Sequence, residues 1–232
     1  MTYDLHIHSC LSPCADDDMT PASIAGFAKL NGIDLIAVAD HNAADNLSAA
    51  ACACEAYGVT LLPAMEITTQ EEIHVLAYFP SLEAALRTSD MLYNLLLDLP
   101  YDPAIWGRQL VMDENDNIIA EKNKLLPAAL PLDLYAVKAL CDEAGAIAVP
   151  AHVDKDSYSL LSVLGFAPED LPFAAYEVRR PEHALPGLLQ SGRLPAGPEI
   201  ITSSDAHSLM QISEFPRILP AASVLRSLLL QR

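Results

Sequence analysis

Six histidines fall in five short clusters: Asp4-Leu-His6-Ile-His8, Ala39-Asp40-His41-Asn42, Glu66 followed by His74, Pro150-Ala-His152, and Ser204-Asp205-Ala-His207. Imidazole and carboxylate side chains are the ligand set of catalytic divalent metals, and a neutral imidazole binds near pH 7 without a large deprotonation cost. A single histidine is more often a packed or solvated residue. Five clusters spread along one chain instead point to a multinuclear metal site assembled by the fold. Side chains two apart on a strand share a face, so the alternation from Tyr3 to His8 predicts Asp4, His6 and His8 on one face and Leu5 and Ile7 on the other. Asp205 and His207 are also two apart, after the run Glu199 to Ser204. Asp4 and Asp40 are candidates to accept hydrogen bonds from ligand imidazoles, with strand-end solvation as the competing reading.

The elements that must position these residues alternate between strand and helix patterns. Thr20-Pro21 reads as the N-cap and first position of a helix running to Lys29, and Asn31-Gly32 ends it. The apolar run 33–39 reads as a buried parallel strand, followed by an Ala-rich helix over about 43–57 that stops at Gly58. Strands are expected at 59–67 and 73–79, and a helix at 82–99 that breaks at Pro100 to Pro103. Residues 109–120 place two apolar runs around an acidic, Asn-rich turn, which predicts a β-hairpin inserted near the site. A helix over 132–143, strands at 146–150 and 175–178, a helix around 182–190, the strand before Asp205 and a helix over 221–230 complete the pattern. Repeated β-α units of this kind predict a parallel α/β sheet. Since every cluster falls at or just past the end of an expected strand, a closed barrel with one mouth is preferred over an open sheet.

Composition bounds the partners. A chain of 232 residues that is 52% hydrophobic is long enough for one α/β barrel. Residues 1–232 are therefore read as a single domain, with an insertion around 100–131. A net charge of −18 argues against a surface that neutralises long nucleic acid or an anionic membrane. With no leader pattern and no apolar run of ~20 residues, a cytoplasmic location is expected. The five cysteines lack a disulfide pattern. Cys52, Cys54 and Cys141 fall in helical stretches as small hydrophobes, whereas Cys10 and Cys14 flank the expected metal pocket, where thiolate ligation is the lesser alternative to oxygen and imidazole ligands.

The joint order of Asp4-Leu-His-Ile-His-Ser9, Ala39-Asp-His-Asn42, Met65-Glu-Ile-Thr68, Ile73-His-Val-Leu-Ala-Tyr78, Pro150-Ala-His152 and Ser204-Asp-Ala-His207 resembles the polymerase and histidinol phosphatase (PHP) family of metal-dependent phosphoesterases. The resemblance implies a distorted seven-stranded β/α (TIM-like) barrel with up to three divalent metals at its mouth. It implies one metal on His6, His8, Glu66 and Asp205, a second on Glu66, His74 and His152, and a third on His41, His207 and a residue of the loop after His8. Relatives have a short serine-rich loop ending in Asp or His, whereas this chain has the longer stretch Ser9 to Asp18. Counting back from Thr20-Pro21 favours Asp16, with Asp17 as the nearest competitor.

The expected activity is hydrolysis of small phosphate monoesters, histidinol phosphate-like or nucleotide, with Glu66 and Asp205 as the central carboxylates and a metal-bridging hydroxide as nucleophile. Two to three divalent ions, Zn, Mn or Fe, would be the cofactors. Lys155, Arg179 and Arg180 are candidate phosphate-binding residues, against a reading as solvated surface cations. The alternative function is a phosphodiesterase or exonuclease acting on short oligonucleotides. A non-catalytic metal module would show decayed ligands, and none of the histidines is missing. The amidohydrolase type of metal barrel also begins with His-x-His but often uses a bridging lysine where this chain has Glu66. His183 and Trp106 are read as surface and packing residues.

Overall fold

The computed structural model describes residues 1–212 and 217–229. In chain order, β1 (Thr2–Ile7), α1 (Pro21–Leu30), β2 (Leu35–Val38), α2 (Leu47–Tyr57), β3 (Thr60–Leu61), β4 (Ala64–Thr68), β5 (His74–Tyr78) and α3 (Leu82–Leu95) form the first half. A one-turn helix α4 (Pro103–Trp106) leads into β6 (Leu110–Met112), β7 (Ile118–Glu121), α5 (Leu134–Glu143) and β8 (Ile147–Pro150). The chain continues through α6 (Leu160–Val163), β9 (Ala175–Glu177), α7 (Pro181–Gln190), β10 (Glu199–Ile201), β11 (Arg217–Ile218) and α8 (Arg226–Leu229). The fold is mixed α/β.

Local chemistry sets most boundaries. The Thr20 hydroxyl caps α1 by accepting from the Ser23 amide, and Gly58, with φ of 66°, closes α2 in the left-handed conformation. The stretch expected as one strand over 59–67 is two, β3 and β4, because Pro63 interrupts it and cannot donate to a ladder. The last helix is shorter than the expected 221–230. Residues 221–225 form turns, with the Ser223 amide on the Pro220 carbonyl, and Leu230 lies outside the described residues.

Parallel pairing joins β1 to β2, β2 to β3, and β9 to β10, while β4, β5 and β8 form a three-stranded sheet in which β5 runs antiparallel to both neighbours. The expectation of an all-parallel arrangement fails at β5 for a physical reason. Only five residues separate Thr68 from His74, enough for a hairpin but too few for a parallel crossover. His74 consequently stands at the start of its strand, not the end, and the reversal brings it beside the last residues of β4. The sheets meet at the ends that carry the histidines. Ile7 bridges to Ala206, His41 bridges to Glu66, and the Val153 amide donates to the Glu177 carbonyl at 2.9 Å.

Two apolar layers follow from this pairing. One cluster receives side chains from β1, β2, β4, β5, β8, β9 and β10, including Leu5, Ala37, Ala64, Leu76, Val149, Ala175 and Ile201. The second layer packs Ile36, Val38, Ile67 and Val75 against the helices, each large buried side chain contributing roughly 1.5–3 kcal/mol. Strand β1 carries one extra residue between Asp4 and Ile7 relative to β2, a bulge. The bulge breaks the expected alternation: Tyr3 and Leu5 enter the first layer and Ile7 the second. His6 and His8 remain together, but Asp4 loses their phase and accepts a hydrogen bond from the Ser204 amide at 3.0 Å.

The expected hairpin forms from β6 and β7. It is bound to the loop after His8, since Leu110 donates its amide to the Cys10 carbonyl at 2.9 Å. Gly107, at φ of 93°, lies so close to Pro13 that a Cβ there would sit 1.9 Å from the Pro13 carbonyl oxygen. Asn46 fastens the same junction, donating to Ser9 Oγ and the Leu110 carbonyl, each at 3.0 Å, and accepting from the Met112 amide at 2.8 Å.

Candidate metal centre

Five imidazoles surround one buried carboxylate. Glu66 Oε1 lies 3.0 Å from His74 Nδ1, 3.1 Å from His152 Nε2 and 3.4 Å from His6 Nε2. Its Oε2 lies 3.2 Å from His41 Nδ1 and 3.4 Å from His8 Nε2. Asp205 Oδ1 stands 3.5 Å from both His6 Nε2 and His8 Nε2. The sixth ring, His207, packs on His8 at a centroid distance of 4.4 Å. Sets of donor atoms within 4.8 Å of one another form around His6, His8 and Asp205, around His41, Glu66 and His74, and around His8, His41 and His207.

Hydrogen bonds to the outer ring nitrogens select which nitrogen faces inward. His6 Nδ1 meets both oxygens of Glu177, at 3.0 and 3.2 Å, which leaves Nε2 pointing at Glu66 and Asp205. His8 Nδ1 meets Ser12 Oγ at 3.1 Å, again leaving Nε2 inward. His207 Nδ1 donates to the Asp205 carbonyl at 2.8 Å. Asp40 does not touch an imidazole itself. It accepts from the Ser9 amide, the Ser9 hydroxyl and the Ser12 hydroxyl at 2.6 to 2.8 Å, and so holds the serine that orients His8. His74 is stacked on Tyr158 with ring centroids 5.0 Å apart. Backbone strain gathers here too, with positive φ at Asn42, His152 and Asp205.

The electrostatics follow from burial among these groups. Burial opposes charge on His6, yet Glu177, Glu66 and Asp205 together hold its pKa well above the ordinary imidazole value. Burial lowers His8 to about 4 despite Asp205, and drives His41 well below the ordinary value. Glu66 and Asp205 are held low against the burial that would raise them, Glu66 chiefly by His74 and His6, Asp205 chiefly by His6 and His8. Burial outweighs three hydrogen bonds at Asp40 and raises it.

The donor set fits divalent cations. The His6 and His8 Nε2 atoms face each other at 3.2 Å, and His41 Nδ1, buried 3.2 Å from Glu66 Oε2, does not meet it in hydrogen-bond geometry. Ring nitrogens aimed at one another and at shared carboxylates are satisfied together by a cation placed among them.

The remaining sequence candidates separate. Lys155 Nζ pairs with Asp205 Oδ2 at 2.7 Å. Arg179 lines a cleft of about 530 Å³ beside Asp205 and His207, together with Lys155, Tyr3, Gln211 and Arg217. Arg180 does not line that cleft; it precedes α7, with its amide on Asp154. Asp16 is exposed and lies outside the donor sets, although its amide donates to the His207 carbonyl at 2.9 Å. Asp17 turns away to Arg108, 3.5 Å off. Cys14 keeps an accessible surface, but its recess and the Glu66 charge push the thiol up to about 12. Cys10 is buried against the Leu110 carbonyl. His183 is exposed in α7, and Trp106 is half exposed.

Sequence reasoning missed Glu177, Ser12 and Arg217. Glu177 had a signal: it is an acidic residue closing the otherwise apolar strand Ala175 to Glu177. It also accepts the His152 amide at 2.8 Å, which ties two ligand-bearing strands through one carboxylate.

No family profile and no curated sequence matches the chain. Solved structures do. A lesion-specific endonuclease, endonuclease Q of Pyrococcus furiosus, matches over 90% of this chain at 18% identity and a TM-score of 0.60, and the chain spans 48% of its length. An amidohydrolase from Chromobacterium violaceum, with bound sulfate, matches over 100% of this chain and 97% of its own at 19% identity and a TM-score of 0.66. A protein assigned as a metal-dependent phosphoesterase from Bifidobacterium adolescentis matches over 99% of this chain and 96% of its own at 18% identity and a TM-score of 0.62. The chain thus shares its fold with structures described as a metal-dependent phosphoesterase, an amidohydrolase and an endonuclease.

Proposed function

We propose that the protein is a metal-dependent phosphoesterase that hydrolyses small phosphate monoesters at the Glu66 centre. The observation that carries this reading is one buried carboxylate with five imidazole nitrogens 3.0 to 3.4 Å from its two oxygens. A carboxylate can bridge two cations through its two oxygens, which an imidazole cannot. In this reading His6, His8, Glu66 and Asp205 hold one divalent ion, Glu66, His74 and His152 a second, and His41, His207 and a residue of the loop after His8 a third. The strands β1, β2, β4, β5, β8, β9 and β10 are then the seven staves of a distorted barrel, residues 1–232 form one domain, and the 100–131 region is an insertion against its mouth.

Ions bound there would activate water and neutralise charge on the attacking and leaving oxygens of a displacement at phosphorus. The chain's own residues do the rest. Glu177, Ser12 and the Asp205 carbonyl fix the ring nitrogens that face inward, so the site is preorganised. Lys155 holds Asp205 through Oδ2, and its ammonium faces the cleft in which Arg179 and Arg217 offer further cationic contacts for a phosphate. That local cationic lining works inside a protein whose overall charge is −18. A cytoplasmic location accompanies this reading; among the described residues, no helix is long and apolar enough to cross a membrane.

A second reading, cleavage of short oligonucleotides, is favoured by the fold shared with endonuclease Q, which has also been seen with a 27-mer duplex carrying an abasic lesion at its active site. A screen of phosphomonoesters, phosphodiesters and short oligonucleotides with Mn and Zn separates the two. Turnover confined to phosphomonoesters is expected; turnover confined to internal phosphodiester bonds would replace the first reading with the second.

A further inference from the structure

The imidazoles around Glu66 are not all held in the same way. Outer ring nitrogens tie His6 to Glu177, His8 to Ser12 and His207 to the Asp205 carbonyl. His74 meets Glu66 Oε1 through Nδ1 at 3.0 Å, and among the described residues its outer Nε2 has no such tie. Rotation of an imidazole about its Cβ–Cγ bond is only broadly restrained by the torsion itself, so the aim of Nδ1 depends on what lies against the ring. His41 and His152 meet the His74 ring edge-on, with centroids 5.1 and 5.4 Å away. Tyr158 lies flat against it, with centroids 5.0 Å apart and planes 20° from parallel.

Tyr158 is held in a conformation that its residue type disfavours. Its φ is 52°, in the left-handed region, where a bulky L side chain is strained. Three sets of contacts over-determine it. The Tyr158 carbonyl accepts the His74 amide at 3.0 Å, at the first residue of β5. Ser159 caps α6 through reciprocal hydrogen bonds with Ser162 and donates its hydroxyl to the Lys155 carbonyl at 2.7 Å. The Lys155 amide in turn closes onto the His152 carbonyl at 2.8 Å. The chain thus leaves His152, folds back on itself and lays one aromatic ring on His74. That ring is 50% exposed, so burial in a core does not account for the strained backbone. Its two engagements with His74, ring on ring and carbonyl to amide, do.

We propose that Tyr158 is a positioning residue for the ion held by Glu66, His74 and His152: its ring fixes the plane of the His74 imidazole and so the aim of Nδ1. The inference rests on the metal-centre reading above. The stacking face does the work and the hydroxyl takes no part, so phenylalanine is an adequate replacement and a residue without a ring is not.

Release of metal from loaded protein into graded chelator, counted as ions per chain, tests this without reference to activity. Wild type and Tyr158→Phe should release their ions at the same chelator concentrations, within about threefold, whereas Tyr158→Ala and Tyr158→Gly should release about one ion per chain at roughly tenfold lower chelator and the others as in wild type. Glycine adopts the left-handed conformation without strain, so the urea midpoint of metal-free Tyr158→Gly should lie above that of Tyr158→Ala while both share the weakened ion. Stability and metal affinity thereby part company, which a merely structural role for Tyr158 does not allow. Wild-type release from Tyr158→Gly would assign the effect to the backbone path, and a loss in Tyr158→Phe equal to that in Tyr158→Ala would assign it to the hydroxyl. Either result, or wild-type release from Tyr158→Ala, would overturn the proposal and leave the metal centre standing. Wild-type protein that takes up no divalent ion would reject the metal centre itself.

Discussion

Substituting Glu177 tests whether the carboxylate behind His6 tunes the metal centre. Glu177 is 1% exposed and accepts from His6 Nδ1 at 3.0 and 3.2 Å and from the His152 amide at 2.8 Å. In Glu177→Gln, an amide oxygen at the Oε2 position can still accept from both donors, but the amide nitrogen then faces His6 Nδ1, donor against donor. The variant also loses the negative charge. A hydrogen bond to a charged group contributes ~1.5–3 kcal/mol against ~0.5–1.5 for a neutral one, so the loss is about 1.4 kcal/mol, or roughly tenfold in metal affinity. Glu177→Ala leaves two buried donors without an acceptor, and the loss should approach a hundredfold. Chelator competition on wild type and both variants measures this, with circular dichroism confirming the fold. The order wild type, Gln, Ala is expected. Affinities of both variants within about threefold of wild type would refute the reasoning.

Three further outcomes follow from the geometry. Arg179→Ala should raise KM roughly tenfold or more with kcat largely kept, from loss of a charge-assisted contact of ~1.5–3 kcal/mol, while Arg180→Ala outside the cleft changes neither; steady-state kinetics decides, and equal effects would count against the cleft. Metal-free protein should be less stable at pH 5 than at pH 7. His8, at about 4, and His41, also held well below the ordinary value by burial, stay neutral in the folded state while the unfolded chain binds protons, so stability is lost as pH falls below ~6.5, by ~3 kcal/mol for His8 alone on reaching pH 4. His6 opposes this weakly, since its raised pKa gives stabilisation that is complete below ~6.5 and fades as pH rises through the raised value. Urea unfolding of chelated protein reads the balance, and equal or greater stability at pH 5 would contradict it. Gly107→Ala should cost roughly 2 kcal/mol or more, since its Cβ meets the Pro13 carbonyl at 1.9 Å at a φ of 93°, and an unchanged denaturation midpoint would show that the hairpin is not pressed on the metal loop.

The residues gathered around Glu66 were legible because their chemistry is rare in apolar strands: an imidazole at the end of a buried run has few reasons to be there. What could not be read was set by relations between strands. The direction of β5 depends on the five-residue turn before His74, and the phase of β1 on a bulge whose extra residue is visible only against β2. Glu177 looked like one acidic residue among many until β8 and β9 were brought together and its two oxygens met His6 and His152. The loop after His8 is the clearest case. Counting from Thr20 favours Asp16, but where the loop's side chains stand depends on ties through Ser12, Asn46 and the inserted hairpin that no count along the chain reveals.

Phosphate release from a responsive phosphomonoester, followed with metal content through chelation and reconstitution, tests the central claim most directly. Two to three divalent ions per chain are expected in the active protein, with loss of turnover when they are stripped, recovery when Mn or Zn is returned, and no recovery in Glu66→Gln. Full turnover by stripped protein, or by Glu66→Gln with the fold intact, would contradict it.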